Sequence, residues 1–198
     1  MINELKNKVR RSDHAIWLFI LVISHLLVSG ISAQQTVLYR DAEADFSNLV
    51  KEYEQGLYGR CIRSADKYKA VYKEPAFEQF ALEAELYKLK AGLNIGNPNI
   101  INQVFAFAES FKSDAVSEKA VLLIGEDAYD RKEYEEAVKY LSMVDGSALQ
   151  PEEQSALNFK LGYVLFVRKE FERAATLFNM GREVRDKYYY PANYYYGM

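Results

Sequence analysis

Three features of this 198-residue chain predict an all-α fold. Apolar residues recur at helical spacing on both sides of short charged breaks such as "DRKE" (130–133) and "VRKE" (167–170). Proline is scarce, at 4, and glycine modest, at 10, so the turn punctuation of an all-β chain is missing. The composition, 49% hydrophobic and 27% charged, lies in the globular range and argues against disorder.

The first 33 residues read as an export address. Lys6, Lys8, Arg10 and Arg11 precede an apolar run from Ala15 to Val28, and Ile31 and Ala33 stand at the −3 and −1 positions before Gln34. A basic flank, a short apolar stretch and a small residue at the cut describe a secretory signal peptide over 1–33, cleaved after Ala33. The alternative is an uncleaved anchor in the inner membrane, which the run barely has the length to form. In either case the basic flank stays inside and the remainder is exported to the periplasm or cell envelope.

Downstream, the chain repeats. Residues 122–141 and 159–178 and the final stub 193–198 superpose on Gly125, Gly162 and Gly197, at intervals of 37 and 35 residues. In the two complete copies an aromatic follows the glycine by nine positions (Tyr134, Phe171), then an alanine (Ala137, Ala174), then a large apolar residue (Leu141, Phe178). Leu161 precedes the second glycine. Each copy is therefore expected to be two short amphipathic helices around a tight turn, with the small residues where the helices cross. Residues 52–72 match the second half of such a copy, with Tyr58 in the aromatic position and Cys61 where alanine stands elsewhere. Between them, 77–111 reads as a degenerate copy: Ala81, Ala84, Leu86, Leu89, then Ile101, Val104, Phe105 and Ala108 fall on helical faces, but the break "AGLNIGNPN" is long.

This pattern resembles the tetratricopeptide repeat, whose period is about 34 residues. The resemblance implies a right-handed superhelical stack of antiparallel helix pairs over 38–198, with repeats near 42–72, 76–112, 117–146 and 153–184 and an incomplete one from 189. With an export signal in front, the chain looks like the N-terminal part of the large multi-repeat envelope proteins of Gram-negative bacteria. It further implies a non-enzymatic scaffold that receives a protein or peptide on the concave face built by the first helix of each repeat. If that geometry carries over, the partner-facing positions are Glu126, Tyr129 and Asp130, then Phe159, Tyr163 and Phe166, then Tyr194. Self-association through the incomplete final repeat is a further expectation, because its tyrosines expose large apolar rings.

Other chemistries fit poorly. Beyond the signal the charged residues are 21 basic against 26 acidic, the wrong sign for a nucleic-acid binder. Both histidines, His14 and His25, lie in the signal, and Cys61 is the single cysteine, so Ser-His-Asp and Cys-His catalysis and the common zinc ligand sets cannot be assembled in the mature chain. No cofactor or metal is expected. Cys61 reads as an inert core thiol, and the many carboxylates as solvated helix faces. The 16 tyrosines leave one rival open: a glycan- or nutrient-capture component of the outer membrane, using stacked aromatics.

Export yields a direct test. N-terminal sequencing of the mature protein should begin at Gln34, and an intact Met1 in the soluble cytoplasmic fraction would overturn the cleaved signal.

Overall fold

Four residues with positive φ organise the architecture of this computed structural model, which describes residues 37–112 and 115–198. They are Gly56 (74°), Gly96 (67°), Lys132 (64°) and Lys169 (65°). Each ends a helix in the same way. Lys132 N–H donates to Tyr129 O and Glu133 N–H to Ala128 O, both at 2.9 Å; Lys169 and Glu170 do the same to Phe166 and Leu165. Gly56 and Leu57 bond to Tyr53 and Glu52, and Gly96 and Asn97 to Leu93 and Gly92. A left-handed residue carrying this pair of bonds satisfies the last carbonyls of a helix and turns the chain back on itself.

The helices so delimited are α1 (37–54), α2 (Tyr58–Val71), α3 (Glu78–Asn94), α4 (Ile100–Ser110), α5 (Ala115–Asp130), α6 (Tyr134–Leu141), α7 (Pro151–Val167), α8 (Phe171–Gly181) and α9 (Tyr189–Tyr196). No strand occurs among the described residues. The fold is all-α, as the sequence predicts. Residues 48–198 form one compact unit and residues 37–47 belong to another; the packing below is that of 48–198. The signal segment and its cleavage site lie outside the described residues.

Local sequence explains the starts. α7 opens with Pro151 in its first turn, where a missing N–H costs nothing, and Glu153 Oε2 accepts from Gln150 N–H at 3.0 Å to close a capping box. α6 places Glu135 and Glu136 in its first turn and Lys139 in its last, matching the helix dipole.

Three of the four turns carry an aromatic clamp. Tyr53 meets Tyr58 (centroids 5.4 Å), Tyr129 meets Tyr134 (6.5 Å) and Phe166 meets Phe171 (5.5 Å). In each pair one ring leaves the end of a helix and the other starts the next, so the pair spans the reversal. The Gly96 turn has Leu93 and Ile101 in one apolar cluster instead, and its helix begins later.

Beyond the turn, helix crossings are set by size. The Cβ that Gly125 lacks would stand 2.5 Å from Leu141 Cδ2, and that of Gly162 3.0 Å from Phe178. Ala137 and Ala174, one turn before Leu141 and Phe178, are fully covered, and Cys61 holds the same place in α2. Gly92 makes a comparable close approach to Ile100, which joins α3 to α4 nearer the turn than in the other pairs.

Helices follow one another in contact from α2 to α9, and α3, α5, α7 and α9 also touch in that order, leaving out the helices between. Core clusters are accordingly serial: one centred on α3–α5, one on α5–α7, one on α7–α9, with Leu161 and Val138 bridging the last two. This is a helical, repeat-like architecture. α9 packs Ala192 and Tyr195 inward, Tyr195 stacking on Phe178 at 5.5 Å, and exposes Tyr190 and Tyr194. Around Gly197 a Cβ would meet only the α9 carbonyls of Asn193 and Tyr194.

Two stability experiments follow. Ala174→Trp should cost about 1–3 kcal/mol through overpacking, whereas exposed Glu172→Ala should stay within about 0.5 kcal/mol of wild type; equal losses in denaturant melts would contradict the crossing. Lys132→Gly and Lys169→Gly should each stabilise by roughly 0.5–1 kcal/mol, because glycine adopts the left-handed turn without a Cβ clash.

Candidate functional site

The first helices of successive pairs present one repeated face. On α3 it comprises Glu83, Leu86, Tyr87 and Lys90; on α5 the same spacing selects Lys119, Leu122, Leu123 and Glu126. Positions three, four and seven apart fall on one side of a helix. All eight residues line a single open cavity of about 580 Å³, which is also lined by Ala156, Glu152 and Glu153 of α7 and by Asp186, Lys187 and Tyr188. A smaller hollow of about 300 Å³ adjoins it, sharing Lys90, Leu123 and Glu126 and adding Tyr53, Asp127, Asp130 and Arg131. Together they form a groove across α3, α5 and α7.

Its floor is apolar. Leu86 and Leu122 are almost fully covered and Leu123 is half-buried, so their exposed edges line the groove while their bulk belongs to the core. Charge is concentrated at the sides. Lys119 Nζ lies 3.0 Å from Glu153 of α7 and 3.4 Å from Glu83 of α3, a single ammonium tying three helices together. Burial alone would lower its pKa, but the bonds to Glu153 and Glu83 outweigh that and hold it above the ordinary value.

Lys160 performs a similar task deeper down. Only 7% of it is exposed, and its ammonium stands 3.0 Å from Glu126 and 3.8 Å from Asp130. The ring of Tyr129 lies 5.4 Å below it, adding a cation–π contact. Burial pushes the Tyr129 phenol far above its usual pKa, with Tyr163 and Tyr134 adding to the shift, so it stays neutral. The carboxyl of Asp127 is also raised by burial, opposed by its partner Arg131 at 3.1 Å. Arg131 in turn donates to Leu93 O at the end of α3, where a cation suits the helix dipole.

The residues expected to face a partner divide into three groups. Glu126 lines both hollows and Asp130 the smaller one. Tyr129, Phe159, Tyr163 and Phe166 are packing residues: Tyr163 touches Tyr129, Tyr134, Phe159 and Tyr195, Phe166 meets Phe171 and Tyr195, and Phe159 stacks on Tyr188 at 5.1 Å. Tyr194, 63% exposed, lines neither hollow and touches Tyr195 at the far end. The sequence reading missed Lys119 and the α3 side of the groove, and the buried Lys160 that pairs with Glu126. The signal was present: α3 carries the same four-position face as α5, shifted by one repeat.

Cys61 is buried, its thiol donates weakly to Tyr87 O at 3.9 Å, and burial pushes its pKa up to about 11. That is a packed thiol. Among the described residues no group of three or more His, Cys, Asp or Glu is arranged to hold a metal ion, and no helix is long and apolar enough to cross a membrane.

Fold and groove together define an all-helical, repeat-like protein. No family model matches the chain, and neither does any curated protein or solved structure.

The Lys160 cluster supplies a prediction. Lys160→Met keeps the aliphatic stem but strips the half-covered Glu126 of its cation, and should destabilise by about 1–3 kcal/mol. Combining it with Glu126→Leu should recover part of that loss in a double-mutant cycle read by denaturant melts.

Proposed function

We propose that this protein is a non-enzymatic interaction scaffold of the cell envelope, built as a tetratricopeptide-like superhelical stack, that receives a peptide segment of a partner protein in the groove over α3, α5 and α7. The observation that carries this reading is the recurrence of one helical face, Glu83-Leu86-Tyr87-Lys90 and then Lys119-Leu122-Leu123-Glu126, along the same open hollow. Repeat proteins make extended binding surfaces by such stacking. An apolar floor between charged margins suits an extended chain, which presents apolar side chains on one face and polar groups on the other. Export rests on the basic flank, apolar run and Ile-Ser-Ala site of the first 33 residues.

A second reading, glycan capture, is favoured by the exposed rings of Tyr190 (80%) and Tyr194 on α9, since sugars stack on uncovered aromatic faces.

The two readings separate in parallel screens of the 198-residue chain against a random peptide library and a glycan array. Peptides that bind wild type but not Leu123→Glu or Lys90→Glu, each shown to be folded by circular dichroism, support the groove. Glycan binding lost in Tyr190→Ala/Tyr194→Ala, with no peptide selected, supports capture instead.

A further inference from the structure

We infer that the occupant of this groove is a cationic segment: about six residues in extended form, apolar at the centre and bearing lysine or arginine on both flanks. This inference rests on the groove being a peptide site, as proposed above.

The sign of the charge follows from how the groove uses its own cations. Lys119 is shared by Glu83 and Glu153, and Lys160 by Glu126 and Asp130, so each inner lysine already faces two carboxylates. Of the remaining lysines at the larger hollow, Lys90 lies over the Tyr53 ring at 5.0 Å and Lys187 over the Tyr188 ring at 4.9 Å. Cations held by rings or paired carboxylates are poorly placed to receive an anionic ligand. Carboxylate capacity is left over at both sides: the Asp130 side chain is 70% exposed, with its lysine at 3.8 Å, and Glu152 is exposed on the α7 margin. An anionic segment would compete with Glu83 and Glu153 for Lys119, and would leave displaced carboxylates in a half-buried wall. A cationic one adds partners without breaking any.

Length follows from where the marginal carboxylates stand. Asp130 ends α5 and Glu152 begins α7, so they lie at opposite ends of neighbouring helices, roughly 20 Å apart along the axes at about 1.5 Å per residue, which about six extended residues span. Leu86, Leu122 and Leu123 receive the central apolar side chains; the flanking cations reach Asp130 on one side and Glu152 on the other. Apolar contact then supplies affinity, while the marginal carboxylates set orientation and choice of partner.

The test uses the full chain, immobilised, panned against a phage-displayed random heptapeptide library, with selected sequences remade as fluorescein-labelled synthetic peptides for anisotropy. The expected selection is enriched in Lys and Arg on both sides of apolar residues. Asp130→Asn/Glu152→Gln, which remove both marginal charges without setting a second cation beside Lys160, should weaken such a peptide by several-fold while the helical circular dichroism is unchanged. Raising salt from about 50 to 500 mM should weaken it as well. Neutral or acidic selected peptides, or cationic ones indifferent to both neutralisations and to salt, would overturn the inference. If those peptides are still lost in Leu123→Glu, the groove reading survives alone. A library that yields no binder overturns both.

Discussion

Everything in residues 48–198 depends on a helix stop only one residue wide. A left-handed residue at 56, 96, 132 and 169 lets two N–H groups return to the last turn of the helix, and the chain leaves in the opposite direction with its terminal carbonyls satisfied. Two of these positions are lysine, which resists that conformation. The aromatic clamp compensates there: Tyr129 against Tyr134 and Phe166 against Phe171 bury ring surface across the turn, so packing rather than backbone preference fixes the angle at which the second helix departs. Arg131 and Arg168, each just before its left-handed lysine, then reach back to the preceding elements, at Leu93 O and Glu135.

Once the angle is fixed, the crossing distance is settled by complementary volumes. Where the first helix contributes glycine, the second contributes a large residue: Gly125 with Leu141, Gly162 with Phe178. Where the corresponding first-helix residue is large, as at Leu49 and Leu89, the second helix has Ala65 and Ala108 at its corresponding buried position. Large and small buried residues thus exchange places between first and second helices, a variation that close packing tolerates when total volume is kept. Strict recurrence of glycine and alanine therefore marks only half of the repeats.

That explains what the sequence made legible. Helices α5 to α8 were readable because Gly125, Tyr134, Ala137, Leu141 and their counterparts Gly162, Phe171, Ala174 and Phe178 repeat as types. The α3–α4 pair hid its kinship, since Leu89 stands where glycine does elsewhere and Val104 and Ala108 come three residues later relative to the turn. The groove inherited this blind spot: with α3 out of alignment, the face was anchored on the aromatics flanking the turn, and Tyr129 and Phe166 are clamps. Glu126 and Asp130 were reachable because they sit on the same helix end. Lys160 looked like any solvated lysine, and nothing in its local pattern signals that Glu126 and Asp130, on the preceding first helix, surround it.

The two inner lysines show why a groove persists between helices that pack so closely elsewhere. At the positions corresponding to Lys119 and Leu123, α7 carries Ala156 and Lys160, so charge and apolar bulk alternate along the row of first helices. A charged pair cannot be covered completely without losing hydration that its Coulomb attraction barely repays. Lys119 and Lys160 gain from contact with two carboxylates each, and these bridges lie beside the apolar contacts that join α3 to α5 and α5 to α7. The open channel above Leu86, Leu122 and Leu123 thus keeps its ion-paired margin hydrated while the same helices close on one another through their apolar faces, and its residual negative charge comes from carboxylates that outnumber the ammonium groups they share.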